Sequence, residues 1–202
     1  MESPIKRGVN TMADLLRTDR ETDISIRPTA LQLLTDHMSS SLSSEVCGVL
    51  LGRKAAGGMR IESYRKLRNV APDPLHHFLF DPIEWVQCCY QETDLIGIFH
   101  SHPLSAPIPS STDLIQLQQF GALTPIYLIG SSSTALSDQP QWIDRSWLMI
   151  SDQDHVHKNH LHTHNTQSLA IAGYQVITDN LADSTASDTP LYTLQSCALR
   201  LV

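Results

Sequence analysis

An apolar run, a histidine-containing turn and a helix start follow one another between residues 95 and 120, and this succession strongly constrains the fold. Residues 95–100 are apolar until they end in His100, which predicts a buried strand. His102 follows two positions on, and Pro103 ends strand pairing. Residues 110–113, Ser-Ser-Thr-Asp, are typical of a helix N-terminus and predict a helix to about residue 120. The loop between them is long enough to bring the helix start back to the end of the strand.

The rest of the chain alternates strand and helix patterns up to residue 150. Helices are predicted from Pro28, closed by the serines at 39–41, and from Asp81-Pro82 to about Glu92, since aspartate caps helices and proline suits their first turn. A glycine turn at 56–58 predicts a hairpin. Strands are predicted over residues 23–26, 45–52, 59–64, 77–80, 125–129 and 142–150.

These patterns divide the chain into three parts. Residues 1–22 form a polar N-terminal extension, residues 23–150 a compact core, and residues 151–202 a polar C-terminal appendage. The appendage carries five of the ten histidines within residues 152–166. Alternating imidazoles there could bind a second metal ion, but a solvated loop or polar strand is the favoured interpretation.

The net charge and the cysteines limit the classes of partner and the cellular compartment that we expect. The formal net charge is -7 and the pI about 5.7, which argues against nucleic acid or an anionic membrane as the main partner. No apolar run approaches the roughly 20 residues of a membrane helix, and residues 1–23 lack the apolar centre of a signal peptide. The four cysteines form no CxxC pair. We therefore expect a cytoplasmic protein.

The side chains around the histidine turn suggest a hydrolytic metal site. His100 and His102 point to the same side if the strand persists through them, and Asp113 lies in the first turn of the next helix. Two imidazoles and a carboxylate can bind zinc and leave a fourth position open, as in catalytic sites. Glu45, at the head of an apolar strand, is the candidate base for a zinc-activated water. Ser110 could donate to an oxyanion or only cap the helix.

Each of these residues also has an ordinary explanation. A His-x-His pair alone seldom marks a metal site, an isolated Glu45 would more often lie on the surface, and Ser110 and Asp113 alone would usually be capping residues. The metal site is predicted because all five occur together.

In this combination the residues resemble the JAMM (MPN+) metalloprotease signature. Glu45 is followed by His100-x-His102, seven residues, Ser110, two residues and Asp113. The flanking segments 45–52 and 97–103 look like the first and second motifs of that family, and the resemblance covers roughly residues 23–150. All the catalytic positions are intact, unlike those of the inactive scaffold members.

The resemblance implies an α/β fold with a mixed sheet flanked by helices, similar to cytidine deaminase. It implies one Zn²⁺ held by His100, His102 and Asp113, with Glu45 as general base and acid and Ser110 as oxyanion partner. It also implies cleavage of an amide or isopeptide bond just after the C-terminus of a ubiquitin-like protein, whose tail we expect to bind by β-addition.

Short spacers around the site make the chain similar to compact prokaryotic members of the family. Those act on ubiquitin-like modifiers or sulfur-carrier proteins, and some accompany E1- and E2-like enzymes in bacterial conjugation systems, including anti-phage defence operons. A sulfur-carrier peptidase and a module that binds a ubiquitin-like protein without cleaving it are the alternatives. A related deaminase is disfavoured, because neither its HxE nor its PCxxC motif occurs.

Overall fold

Nine strands and three helices are formed by the residues that the computed structural model describes, which are 23–132, 146–150, 168–179 and 191–202. In chain order they are β1 (Asp23–Ile26), α1 (Pro28–Ser40), β2 (Cys47–Ala55), β3 (Gly58–Leu67), α2 (Pro82–Gln91), β4 (Leu95–His102), α3 (Ser111–Phe120), β5 (Ile126–Ser132), β6 (Leu148–Ile150), β7 (Leu169–Asp179), β8 (Leu191–Cys197) and β9 (Leu199–Leu201).

All nine strands belong to one mixed sheet. The order along its main path is β6-β7-β5-β4-β2-β3-β1-β9, and β8 pairs with β7 off this path. The pairs β1/β3, β1/β9 and β4/β5 are parallel and the others antiparallel. The α/β fold with a mixed sheet flanked by helices is thus confirmed.

The last two strands make the sheet curl back on itself. Only Ala198 separates β8 from β9, yet β8 pairs with β7 and β9 pairs with β1 at the far end of the sheet. These strands lie within the part expected to be a polar appendage, residues 151–202, so its described residues belong to the same sheet as the core. The physical reason is visible in β7, where Ala170, Ile171 and Ala172 are buried beside β5.

Helices cover both faces of the sheet and define two apolar clusters. Helix α1 buries Ala30, Leu34 and Met38 in one cluster. Helices α2 and α3 contribute residues such as Cys88 and Leu117 to the other, on the side that carries the candidate site. Asp81 caps α2 as expected, because its carboxylate accepts hydrogen bonds from the amides of residues 83 and 84.

Glycine is required at two places that shape the site-bearing strands. Gly57 and Gly58 have φ angles of 92° and 151° in the predicted β2–β3 turn, a region that side chains disfavour. At Gly97 a Cβ atom would lie 2.5 Å from the carbonyl oxygen of Ile126, so glycine permits the close approach of β4 and β5.

The predicted strand over residues 77–80 is wrong. Only Phe80 forms a single bridge, with Asn69, because the His77 carbonyl oxygen and the Leu79 amide bond to the Asn69 side chain instead of a neighbouring strand. The extension 1–22, residues 142–145 and the histidine-rich segment 155–164 lie outside the described residues. Among the described helices, none has the length and apolar character needed to cross a bilayer.

Candidate metal centre

Strand β4 and helix α3 bring the three predicted ligands together. Parallel pairing with β5 continues through His102, so His100 and His102 lie on the same face of β4. Asp113 is the third residue of α3 and is almost completely buried. The Nε2 atoms of the two histidines are 2.9 Å apart, and the Asp113 oxygens lie 3.2 Å from His100 Nε2 and 3.4 Å from His102 Nε2.

This arrangement fits a zinc ion. Ligand atoms about 2.0–2.2 Å from a tetrahedral zinc lie about 3.3–3.5 Å from one another. The distances from the Asp113 oxygens to the two histidine nitrogens are close to that spacing, and the 2.9 Å between the two Nε2 atoms is shorter. One ligand atom from each residue lies within 4.8 Å of the others. Three protein ligands leave one tetrahedral position for water or substrate.

The surroundings fix the orientation of each imidazole. His102 Nδ1 lies 2.9 Å from the carbonyl oxygen of Ala106, and donating to it leaves the Nε2 lone pair facing the other ligands. The fully buried His100 stacks on Phe78, with ring centroids 4.7 Å apart at 26°, and meets Tyr127 edge-on. The aromatic packing holds His100 where the backbone of β4 presents it.

Without a metal ion, the three groups form a hydrogen-bonded cluster. Burial acts to raise the pKa of Asp113, but its bonds to both histidines and to the Ser110 amide hold it well below its usual range. Burial lowers the pKa of His100. Burial opposes protonation of His102 too, yet bonding to Asp113 and Ala106 leaves its pKa raised. Protons therefore compete with a metal ion mainly at His102.

Glu45 lies beside this cluster, two residues before β2 begins rather than within the strand as expected. Its side chain is buried, and its Oε2 atom has no hydrogen-bond partner among the described residues. Burial raises its pKa to about 8, although the charge of His102 opposes this rise. Asp113 adds to the rise, so Glu45 is close enough to sense the charges of both ligands.

Ser110 has the capping role and retains a free donor. Its Oγ accepts a hydrogen bond from the Asp113 amide at 3.1 Å, and the Asp113 carboxylate accepts one from the Ser110 amide at 2.7 Å. Ser110 is exposed and its hydroxyl hydrogen is not used in this capping box. Both predicted roles, helix cap and oxyanion donor, are therefore compatible with its geometry.

Three supporting residues were missed in the sequence. Ser101, between the two histidines, accepts a hydrogen bond from the Val46 amide at 3.0 Å and so ties β4 to the residue after Glu45. Phe78 packs on His100, and Asn69 bonds to the backbone of Glu45. The position of Ser101 within the motif was the available signal, whereas nothing in the local pattern distinguishes Asn69.

Comparison with known proteins gives the same family as the motif. A family model described as prokaryotic homologs of the JAB domain matches residues 28–150. Proteins named desampylase, from Haloferax volcanii and Pyrococcus furiosus, are each 38% identical, over 74 and 79 residues respectively. These matches cover 35% and 37% of this chain and 52% and 53% of the relatives, so the chain spans about half their length.

A solved structure resembles the whole fold. The solution structure of a protein from Desulfitobacterium hafniense superposes with a TM-score of 0.52 and 19% identity, covering 89% of this chain and 92% of that one. At this identity the likeness concerns the fold alone. Because it extends well beyond residues 28–150, it includes strands that the family model does not match.

Proposed function

Because the chain belongs to the prokaryotic family of JAB domains, we propose that it is a zinc-dependent isopeptidase or peptidase that cleaves just after the C-terminus of a ubiquitin-like protein. The observation that carries this proposal is the buried cluster of His100, His102 and Asp113 beside the carboxyl group of Glu45. The likeness to two proteins named desampylase supports the substrate class.

The proposed metal ion is Zn²⁺, held by His100, His102 and Asp113. Bound there, it supplies Lewis acidity that makes water a stronger nucleophile near neutral pH. Glu45 accepts a proton from the attacking water and passes it to the leaving amine as the carbon–nitrogen bond breaks. The buried Oε2 atom of Glu45 has no hydrogen-bond partner among the described residues, so it is available to accept and release that proton.

Ser110 completes the proposed site. Its hydroxyl donates to the oxygen of the scissile carbonyl as negative charge develops on it, while its Oγ continues to accept the Asp113 amide. The capping box therefore serves the reaction indirectly, because it holds the proposed oxyanion donor and the carboxylate ligand in one rigid helix turn.

The proposed substrate is a conjugate or precursor of a ubiquitin-like protein, reached through its extended C-terminal tail. Removal of the modifier from conjugates in a bacterial system with E1- and E2-like enzymes, including an anti-phage defence system, is the setting we propose for a protein acting in the cytoplasm. The formal net charge of -7 suits a protein substrate with basic groups around its tail.

The test uses the ubiquitin-like protein encoded in the same genome. Its C-terminal carboxyl group is joined through an isopeptide bond to a lysine in a fluorescent peptide, and also through a peptide bond to a reporter. We expect the zinc-loaded protein to release the fluorescent product and a chelator to stop it. A sulfur-carrier protein with a C-terminal extension is the comparison substrate, and its preferred cleavage would redirect the assignment to carrier processing.

Two variants separate catalysis from binding. Glu45→Gln should abolish cleavage with zinc content unchanged. Glu62→Gln is the same exchange in β3, where Glu62 pairs with Arg27 and Arg53, and it should cleave at the wild-type rate. Full activity of Glu45→Gln would contradict the assigned role of that residue. Binding of the modifier without cleavage by the zinc-loaded wild type would instead favour a binding module.

A further inference from the structure

The backbone of Glu45 is held by a loop rather than by the sheet. Its amide donates to the carbonyl oxygen of Pro74 at 2.6 Å, and its carbonyl oxygen accepts from Asn69 Nδ2 at 2.9 Å. Both partners belong to residues 69–80, here called the anchoring loop. Glu45 precedes β2 and has no partner in the strand pairing, so its own backbone groups are held by these two bonds to the loop.

The side chain of Asn69 organises the anchoring loop. Besides the bond to Glu45, Nδ2 donates to the carbonyl oxygen of His77 at 3.2 Å. Its Oδ1 atom accepts from the amides of Ala71 and Leu79 at 2.9 and 3.0 Å. An amide has two donor hydrogens and two acceptor lone pairs, so Asn69 uses its full capacity at this junction.

The same loop also reaches a metal ligand. Phe78 stacks on the ring of His100, and the Phe78 carbonyl oxygen accepts from Gln116 Nε2 of helix α3 at 2.7 Å. One side chain, Asn69, thus fixes a loop that contacts both Glu45 and the His100 ring. A displacement of the loop would move the carboxyl group relative to the ligands, even with each side chain intact.

We propose that Asn69 is a positioning residue that sets the place of the Glu45 carboxyl group through the anchoring loop. The inference rests on the proposed role of Glu45 as the base. Its chemistry requires an amide, because a carboxylate at residue 69 could still accept from Ala71 and Leu79 but would lose both donors. It would also set oxygen against the carbonyl oxygens of Glu45 and His77.

The kinetic test compares Asn69→Asp with a control that removes a hydrogen bond elsewhere. Thr124→Val deletes the buried bond from Thr124 Oγ1 to the Phe120 carbonyl oxygen, beyond the far end of α3 from Asp113. With the isopeptide-linked probe, Asn69→Asp should lower kcat about 100-fold, with KM and zinc content within twofold of the wild type. Thr124→Val should lower the melting temperature and keep kcat.

Amide hydrogen exchange in the metal-free protein gives a readout independent of activity. In Asn69→Asp the amide of Glu45, whose acceptor Pro74 lies in the anchoring loop, should exchange at least tenfold faster than in the wild type, whereas Thr124→Val should leave it protected. If Asn69→Asp does not show the wild-type circular dichroism spectrum, Asn69→Ser is carried through both measurements with the same expectations.

The outcomes separate this inference from the proposed function. Unchanged exchange at Glu45 overturns the inference whatever the activity, and so does faster exchange with wild-type kcat. The inference is also overturned if Asn69→Asp changes only KM or only the zinc content and leaves kcat as in the wild type. If the wild type cleaves neither probe, the proposed function fails, and the exchange rates still decide whether Asn69 holds Glu45.

Discussion

Asp113 and Ser110 are joined by two reciprocal hydrogen bonds, and the same Asp113 carboxylate lies 3.2 Å from His100 Nε2. A single side chain thus closes the first turn of α3 and completes the cluster of metal ligands. The cap orients the carboxylate before any ion arrives, because the Ser110 amide already occupies one of its oxygens at 2.7 Å. Preorganisation of this kind lowers the entropic cost of binding a metal ion.

Exchanges at these two residues should separate metal binding from helix capping. Asp113→Asn removes the negative charge of the ligand, so zinc affinity should fall at least about 100-fold. Ser110→Ala removes the cap and the proposed oxyanion donor but no metal ligand, so it should cost about 1 kcal/mol of unfolding free energy while zinc affinity stays within about threefold. Competition with a chromophoric chelator measures the zinc affinity, and urea denaturation measures the unfolding free energy. Equal zinc affinity in Asp113→Asn and the wild type would contradict the assigned ligand set.

The buried Glu45 makes the stability of the metal-free protein depend on pH. Burial raises its folded-state pKa to about 8 from an ordinary value of 4.5, so the folded protein retains a proton that the unfolded chain releases. This contribution to stability is complete below about pH 4.5 and is lost as the pH rises towards 8. Glu45→Gln should therefore weaken the decline in unfolding free energy over this range. Urea titrations in EDTA at pH 5, 6.5 and 8 compare the two proteins. If the unfolding free energies of the two proteins change with pH in parallel, the pKa of Glu45 is not raised by folding.

Ser101 should prove more important to stability than an ordinary strand serine. Ser101→Ala leaves the Val46 amide without its partner in a buried position, which should cost about 1–3 kcal/mol. Ser25→Ala is the matched control, because it deletes a longer, partly buried bond of 3.3 Å to the Met59 carbonyl oxygen. The midpoints of urea denaturation compare the stabilities of the two variants. A larger loss of stability for Ser25→Ala would mean that the hydrogen bond between Ser101 of β4 and Val46 adds little.

The predicted core, residues 23–150, should not fold by itself. A fragment of residues 23–150 lacks β7, and so exposes the edge of β5 and the apolar surface that Ala170, Ile171 and Ala172 cover. We expect it to be aggregated or largely unfolded, while residues 23–202 show a cooperative transition. Circular dichroism and size-exclusion chromatography distinguish these states. A monomeric fragment with a cooperative transition would mean that β7 to β9 are dispensable.

Local patterns predicted the elements that carry the site. The apolar run before His100 and the capping residues at Ser110 depend on near neighbours only, and the structure has β4 and α3 there. Strand β7 was missed although residues 169–172 are apolar, because polar segments on either side dominated the interpretation. Its place beside β5 follows from pairing across the sheet, which one sequence does not encode locally.

The supporting contacts of the site depend on tertiary structure alone. Asn69 meets Glu45 across 24 residues of sequence, and Ser101 meets Val46 across 55. Contacts between residues so far apart in sequence produce no periodic pattern from which they could be predicted. The segment 77–80 shows the reverse effect, since its apolar residues predict a strand, whereas the Asn69 side chain binds the His77 carbonyl oxygen and the Leu79 amide.

The pairing of the first described strand with the last also orders events during synthesis. Ile24 lies beside Leu199, so the outer edge of β1 stays uncovered until residue 199 has been made. The strands and the helix that bear the candidate metal ligands are complete once residue 132 has been made. A nascent chain at that stage holds all three ligands but has open edges at both sides of its sheet. Until β7 and β9 are made, the strands next to the candidate ligands therefore belong to a sheet with two unpaired edges, which favours pairing with other chains.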